Sequence, residues 1–443
     1  MNARQRPTTK ATKSTKSTKS TKSTKATKST PPRRSRTGDK PAVVVTESHA
    51  ATGPEPDLAR AVELVLELMP IPGKSCEEAL IAEAVEAKLL AAGIDPSWIQ
   101  RDTAHERTPT PGQTGNLILK LPGTRRGPRR MLSAHLDTVP VCLGCRPVCA
   151  DGVIRSADPQ TGVGADNRAG VATILTAALE IARQQLPHPP LTFCWFVQEE
   201  IGLHGSRCVD RRLLGNPTAA FNWDGGPPEK LTIGATGGCR MDIDVTGLAS
   251  HAGVAPERGV SAIAIASLAI ADLVENGWHG LVVKGRKRGT SNVGVIQGGD
   301  STNVVTDRVR LRAEARSHDP AFRQRIVDEI DKAFQRAAKR VKSLAGNRGS
   351  VELRARIDYE SFLLPADSPC VVAAAEAVRA VGPEPFEAIA NGGLDANWIS
   401  RHGIPTVTLG CGQINPHMVT EALDVAGFEQ ACRIALRLAT SSS

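Results

Sequence analysis

Apolar residues recur at helical spacing through DLARAVELVLELMPIPG (57–73), and Pro70 and Gly73 end the pattern. SCEEALIAEAVEAKLLAAG (75–93) predicts a second amphipathic helix, opened by Ser75 and closed by Gly93. The period then changes. GNLILKLPG (115–123) and RRMLSAHLDTV (129–139) are short apolar runs between turn signals and predict strands. AGVATILTAALEIARQQ (169–185) predicts a helix, LTFCWFVQEE (191–200) a buried strand and AAFNWDGG (219–226) another. Strands alternating with helices predict an α/β layer around a largely parallel sheet.

From about residue 236 the texture differs. GCRMDIDVTG (238–247) alternates as a half-exposed strand, and GVSAIAIASLAIADLVENG (259–277) predicts a helix. TSNVGVIQGG (290–299) and DRVRLRAEARS (307–317) predict two further strands, PAFRQRIVDEIDKAFQRAAKRV (320–341) a helix and SVELRARIDYE (350–360) a last strand. This β-α-β-β-α-β order is that of a ferredoxin-like unit, and its one-sided alternation fits a sheet covered by helices on one face. After about residue 362 the α/β texture resumes, with helices at 368–382, 395–403 and 420–440 and strands near 386–393 and 404–412. The chain therefore divides into a discontinuous α/β domain, 55–235 plus 361–443, a small inserted domain at 236–360, and a tail at 1–54. A cleft between two domains is a usual home for a small-molecule site.

The length of 443 residues fits such a division and allows a core that needs no disulfides. The net charge of +9 suggests a polyanion partner until it is located. Residues 1–40 hold 13 Lys/Arg and one acid, a net of +12, which leaves 42 basic and 45 acidic residues, or −3, on the remainder. Only the tail is basic. Its repeat, TKATKSTKSTKSTKSTKATKST, has one sign of charge and no apolar periodicity, so disorder is expected. It reads as a polyanion-binding or targeting arm, or as a solvated extension without a catalytic role, and the second is favoured. The tail lacks the apolar segment of a secretory signal, and no run of 18 apolar residues predicts a membrane span. Ten cysteines without an export signal point to reduced thiols and a cytoplasmic location.

HLDTVPVCLGCRPVC (135–149) offers two sets of metal-binding side chains. Cys142, Cys145 and Cys149 lack a fourth ligand at zinc-site spacing, so free thiols are expected. The other set is His135 with Asp137, and similar residues stand at other strand ends and loops: Asp166 in GVGADNRAG, Glu199 and Glu200, Asp224, and His417 in GQINPHMVTEA. The carboxyl ends of strands in an open α/β sheet are where ligands bind. Histidine with carboxylates suits Zn²⁺, Mn²⁺ or Co²⁺ with an open coordination position. Singly, each of these residues reads as a cap or a surface acid. Glu199 and Glu200, adjacent on a strand end, should point to opposite faces, so that one binds metal while the other stands free as a base.

SAHLDTVP, GVGADNRAGVA, FVQEEIGLHGS, NWDGG, GLASHAG, STNVVTD with EARS, NGGLDANW and GIPTVTLGCGQINPHMVTEA occur in the order found in the dizinc exopeptidase family. That family includes aminoacylases, glutamate-releasing carboxypeptidases and succinyl-diaminopimelate desuccinylase. The wording GGLDAN…GIPTVTLG most resembles the peptidase T (tripeptide aminopeptidase) branch, and the resemblance covers 55–443. It implies an α/β fold with a mixed, largely parallel sheet, helices on both faces and an inserted βαββαβ lid and dimerisation domain. It implies two divalent metal ions, zinc with manganese or cobalt as alternatives. Asp166 would bridge them, His135 and Asp224 completing one site and Glu200 and His417 the other. Asp137 would stand behind His135, Glu199 would be the general base, and His251 would reach the reacting carbonyl, often from a partner subunit. Asn303 and Arg316 would bind the substrate's carboxylate or carbonyl, and Gly392 and Gly393 would permit close backbone approach. The family expectation also includes a homodimer through the insert. The departures are the cysteines after HLDTVP and Pro416 and Met418 beside His417, which bear on pocket shape. Hydrolysis of short peptides is the first reading, N-acyl-amino-acid hydrolysis the second, and polyanion binding through the tail the third.

Overall fold

The structure, a computed structural model, describes residues 53–441. The basic repeat, and with it the readings of disorder and polyanion binding, lies outside the described residues. A nine-stranded mixed sheet runs in the order Ile99–Arg101, Leu117–Leu121, Leu191–Phe196, Arg130–His135, Ala219–Trp223, Thr406–Leu409 and Lys230–Ala235. Phe362–Leu363 and Phe386–Ala390 both pair with the last of these. The four central strands, from Leu191–Phe196 to Thr406–Leu409, are parallel, and antiparallel pairs flank them.

Every residue of Leu191–Phe196 and Arg130–His135 is buried, as a central parallel strand with helices on both faces requires. Alternation divides them. Phe193 and Trp195 join the main core under the helices Leu58–Leu68, Ala79–Ala91, Ala165–Gln184 and Val425–Thr440. Cys194 and Phe196 face a smaller cluster with Ile399 of the helix Asp395–Arg401. The α/β reading with helices on both faces is what the structure contains.

Between Ala235 and Phe362 the chain builds a second, antiparallel sheet in the order Gly280–Lys284, Lys287–Gln297, Arg308–Ser317, Gly237–Thr246 and Ser350–Tyr359. The helices Ala262–Glu275 and Pro320–Arg340 pack on it around a core of its own that includes Ile243, Ile265, Leu311, Phe322 and Phe334. The strand Gly280–Lys284 is one more than the hydrophobic pattern showed. It is a five-residue edge strand with Leu281 and Val283 exposed, joined to its partner through Gly285 at φ +66°, so it lacks both length and a buried face. A small four-stranded sheet, in the order Gln413–Ile414, Ala422–Asp424, Val153–Ser156 and Pro147–Ala150, flanks the turn that carries His417. No helix among the described residues is long and apolar enough to cross a membrane.

Asn397 fastens the two sheets together. Its amide nitrogen donates to the carbonyls of Thr236 (3.0 Å) and Glu360 (2.7 Å), where the chain enters and leaves the second sheet, and its oxygen accepts from Leu394 N–H (2.8 Å). Asn397→Ala strands these buried groups, each worth ~1–3 kcal/mol when left unpaired. We predict a loss of roughly 2–3 kcal/mol in urea unfolding. An unchanged midpoint would show that the contact contributes nothing.

Candidate metal centre

His135 ends its strand, Glu199 and Glu200 follow Leu191–Phe196, and Asp224 follows Ala219–Trp223, so the carboxyl ends of three neighbouring parallel strands converge. Asp166 lies in the first turn of Ala165–Gln184, after Gly164, whose φ of +74° the turn demands. His417 sits in the turn before Ala422–Asp424 at φ +65°.

Nε2 of His135 is 3.2 Å from Oδ1 of Asp166 and 3.9 Å from Oδ1 of Asp224. Nε2 of His417 is 3.3 Å from Oδ2 of Asp166 and 2.9 Å from Oε2 of Glu200. Asp166 thus shows each oxygen to a different imidazole. Its Oδ1 is buried without a hydrogen-bond partner despite the nearby ring, the relation expected of two lone pairs directed at a shared cation. Ligand atoms of His135, Asp166 and Glu200 all lie within 4.8 Å of one another. Imidazole and carboxylate donors at this spacing fit divalent cations of the Zn²⁺, Mn²⁺ and Co²⁺ type.

Asp137 is fully buried behind His135. Its Oδ1 is 3.4 Å from His135 Nδ1 and accepts from Glu199 N–H (3.0 Å), while Oδ2 accepts from Glu200 N–H (3.1 Å) and the Ser75 hydroxyl (2.6 Å). Glu78, also fully buried, accepts from Gln198 N–H (3.0 Å) and Cys76 N–H (2.9 Å). Two acids therefore hold three consecutive backbone amides, 198 to 200. Two readings of the sequence change here. Ser75 does not open the helix, which begins at Ala79; its hydroxyl serves Asp137 instead. Glu199 and Glu200 are not on a strand, which stops at Phe196; they follow Gln198 (φ +55°) in a turn, and their surroundings rather than strand alternation separate them. The strand reading failed because the apolar run continues to Val197 while the pairing does not.

Charge dominates the metal-free site. Burial pushes Glu199 well above the usual carboxylate range, with Asp224 and Glu200 adding to the rise and His135 opposing it. Burial likewise lifts Glu200 to about 7 and Asp224 to about 6. His417 is raised to about 10 by its hydrogen bonds to Asp166 and Glu200. Against burial, Asp137 and Asp166 hold His135 well above its ordinary value. Asp395, which the sequence reading passed over, is fully buried, and burial lifts it to about 7. Its sole signal in the sequence was an acid placed directly after NGGL at a helix start.

The remaining candidates fall in two groups. His251 and Asn303 meet on the ribbon formed by Ser250–His251 and Val304–Val305, where Ala252 N–H donates to Asn303 C=O (2.8 Å). Nδ1 of His251 accepts from Gly253 and Val254 N–H, each at 3.1 Å, and the ring is exposed. Arg316 is held by Glu314 through two bonds of 3.0 Å, the ion pair that its arginine-rich strand made the alternative. A Cβ on Gly393 would meet the Tyr359 ring at 2.7 Å, so that glycine makes room for a tyrosine, whereas Gly392 faces open space. All ten cysteines are free thiols; Cys149 lies on the strand Pro147–Ala150 and Cys142 in a turn.

Comparison with known proteins adds a family. The model of peptidase family M20/M25/M40 matches residues 131–441. The Bacillus subtilis protein YqjE is 32% identical over 372 residues, covering 83% of this chain and 94% of that one. Peptidase T of Escherichia fergusonii is 26% identical over 291 residues, 64% of this chain and 66% of its own. The crystal structure of a tripeptidase from Staphylococcus aureus superposes with a TM-score of 0.78 at 30% identity, over 87% of this chain and 99% of that one.

In the metal-free protein, protons on His417 and Glu200 occupy positions that a cation would take, and ligands must lose them to bind. Raised pKa values mean more protons to displace, so affinity falls as pH falls. We predict that Zn²⁺ added to metal-stripped protein at pH 7 releases about one proton per chain or more, with weaker binding at pH 5 than at pH 8. Titration calorimetry in buffers of different ionisation enthalpy measures both; binding without proton release would place the metal elsewhere.

Proposed function

The chain belongs to peptidase family M20/M25/M40 and is a metal-dependent hydrolase, and on that premise we propose that it is a tripeptide aminopeptidase acting on short peptides. The observation that carries this reading is Asp166 facing two histidines with its two oxygens, beside the buried acid Glu199. The names of its relatives, peptidase T and a tripeptidase, support the substrate class.

Two divalent cations bound here, zinc by this reading, with manganese or cobalt as alternatives, would lower the pKa of a shared water and polarise the scissile carbonyl. His135 and Asp224 would hold one of them, Glu200 and His417 the other, and Asp166 would serve both. The backbone carbonyl of Asp137 accepts a hydrogen bond from His135 Nδ1–H (3.1 Å), with its carboxylate close behind, which leaves the Nε2 lone pair free for a cation. Glu199 accepts the water's proton and returns it to the leaving amine. His251 carries its proton on Nε2, because Nδ1 accepts two amides, and so is a donor suited to the tetrahedral oxyanion.

We read residues 236–360 as a ferredoxin-like βαββαβ insert extended by one edge strand, serving as lid and as the contact through which a second copy supplies His251. Residues 55–235 and 361–443 form the catalytic domain around it. Arg316 and Asn303 take the carboxylate end of the peptide, Arg316 exchanging Glu314 for it, and Gly392 leaves the peptide backbone room.

A panel of tripeptides, dipeptides and N-acetyl or N-succinyl amino acids, assayed with Zn²⁺, Mn²⁺ or Co²⁺, tests the substrate class. Cleavage of the acylated compounds alone would replace this reading with an amidohydrolase. Glu199→Gln is predicted to lower kcat by about 10³ or more while the metal content stays near that of the wild type. A variant that loses metal instead would show Glu199 to be a ligand.

A further inference from the structure

Outside the ligand set, one buried acid grips the backbone of the bridging aspartate. Glu421 is 2% exposed. Its Oε1 accepts from Asp166 N–H (2.9 Å) and its Oε2 from Gly164 N–H (2.6 Å), across more than 250 residues of chain, and the Cys142 thiol reaches Oε2 at 3.3 Å. We propose that Glu421 is a positioning residue that sets the bridging geometry of Asp166 by tying the Gly164–Asp166 turn to the turn that carries His417. The inference rests on the two-metal reading above.

The anchor is firm at its own end. Glu421 N–H donates to Met418 C=O (3.0 Å), closing the turn after His417, and the next residue, Ala422, pairs with Arg155 in the small sheet. The opposite side of the Asp166 turn is held from the same stretch of chain. Gln413 Nε2 donates to Ala165 C=O (3.1 Å) and to Asn167 Oδ1 (3.0 Å). Gln413 and Glu421 thus flank His417 in sequence and clamp Asp166 between them. A bridging carboxylate must direct each oxygen at a different cation, and a tilt of its backbone moves both at once. Fixing the amide of Asp166 fixes the pivot of that side chain, while the turn of His417 moves with the same clamp. Space is reserved for the carboxylate as well, since a Cβ on Gly162 would come within 2.9 Å of Glu421 Oε2.

The test uses full-length wild type, Glu421→Gln, Glu421→Asp and Cys142→Ala. Each is stripped of metal, titrated with Co²⁺ by visible absorption and by metal content, and assayed for kcat and KM at rising metal concentration. In Glu421→Gln one amide N–H meets an NH₂ group, so Co²⁺ affinity is expected to fall about 10- to 100-fold, with an altered absorption spectrum. Its kcat falls and is partly restored by added metal, while KM stays within about twofold. Glu421→Asp keeps the charge but is too short to reach both amides; it gives an intermediate loss and serves as the test should the glutamine variant not fold. Cys142→Ala, which removes a weak donor, matches the wild type. Wild-type Co²⁺ affinity and spectrum in both Glu421 variants, whatever their melting temperatures, would overturn the proposal. A wild type that takes up fewer than two ions would instead overturn the two-metal reading.

Discussion

The constraint on which the rest of this structure depends is the concentration of buried negative charge. Glu78, Asp137, Asp166, Glu199, Asp224, Asp395 and Glu421 are all buried, and each except Glu78 either contacts His135 or Asp166 or acts on His135 through its charge. Each such carboxylate costs several kcal/mol to desolvate unless opposing charge or hydrogen bonds offset it. The protein supplies three offsets. Backbone amides face Asp137, Glu78 and Glu421. The fully buried guanidinium of Arg168, fixed by the carbonyls of Leu136 and Ile71, opposes Asp137 and Glu78. Two imidazoles face Asp166. What these leave over is a site that takes up protons when metal is absent, seen in the raised values of Glu200, Asp224 and His417.

Hydrogen-bond partners also sort these acids by task. Oxygens occupied by amide N–H groups are scaffolding, since a carboxylate saturated by fixed donors has no lone pair well placed for a cation. Both oxygens of Asp137 and both of Glu421 are of this kind. The oxygens of Asp166, Glu200 and Asp224 face imidazoles instead, and under the proposed two-metal reading these are the ones that would take a cation. Glu199 belongs to neither class, because its backbone amide is held while its buried carboxyl faces neither an amide nor an imidazole at bonding distance. The division proposed between ligand and base at two adjacent glutamates would therefore arise in the turn that Glu78 and Asp137 hold.

The candidate ligands His135, Glu200 and Asp224 and the candidate base Glu199 stood out in the sequence because they follow short apolar runs flanked by turn residues, which are local features. The bridging role proposed for Asp166 comes only from the family resemblance. The supports were not legible at all. Ser75 and Glu78, three apart before an apolar run, have the spacing of a helix cap, and no local rule distinguishes that from a brace made over 62 and 120 residues of separation. Glu421 reads as a helix-entry acid for the same reason, its partners lying on a different turn. The small-domain strands followed from alternation, whereas Gly280–Lys284 did not, because an exposed edge strand has no buried face to mark it. Arg316 and Gly393 show the reverse limit, in which residues singled out for a substrate are engaged by Glu314 and Tyr359.

The thiols next to the centre clarify why two metal chemistries can share fifteen residues. Burial raises Cys145 to about 11 and Cys142 further, and Glu421 adds to the rise in both, so at neutral pH both sulfurs keep their protons. A thiol held protonated is a poor nucleophile, and a metal would have to displace its proton to bind it. The Cys142 proton instead points at Glu421, which needs donors rather than another negative charge. Under the proposed metal reading, His135 and its carboxylate partners would bind cations at a pH where both thiols keep their protons. Glu421, which adds to the effect of burial on both thiols, also holds the Asp166 amide, so one residue shapes the proposed carboxylate site and keeps its sulfur-bearing neighbours protonated.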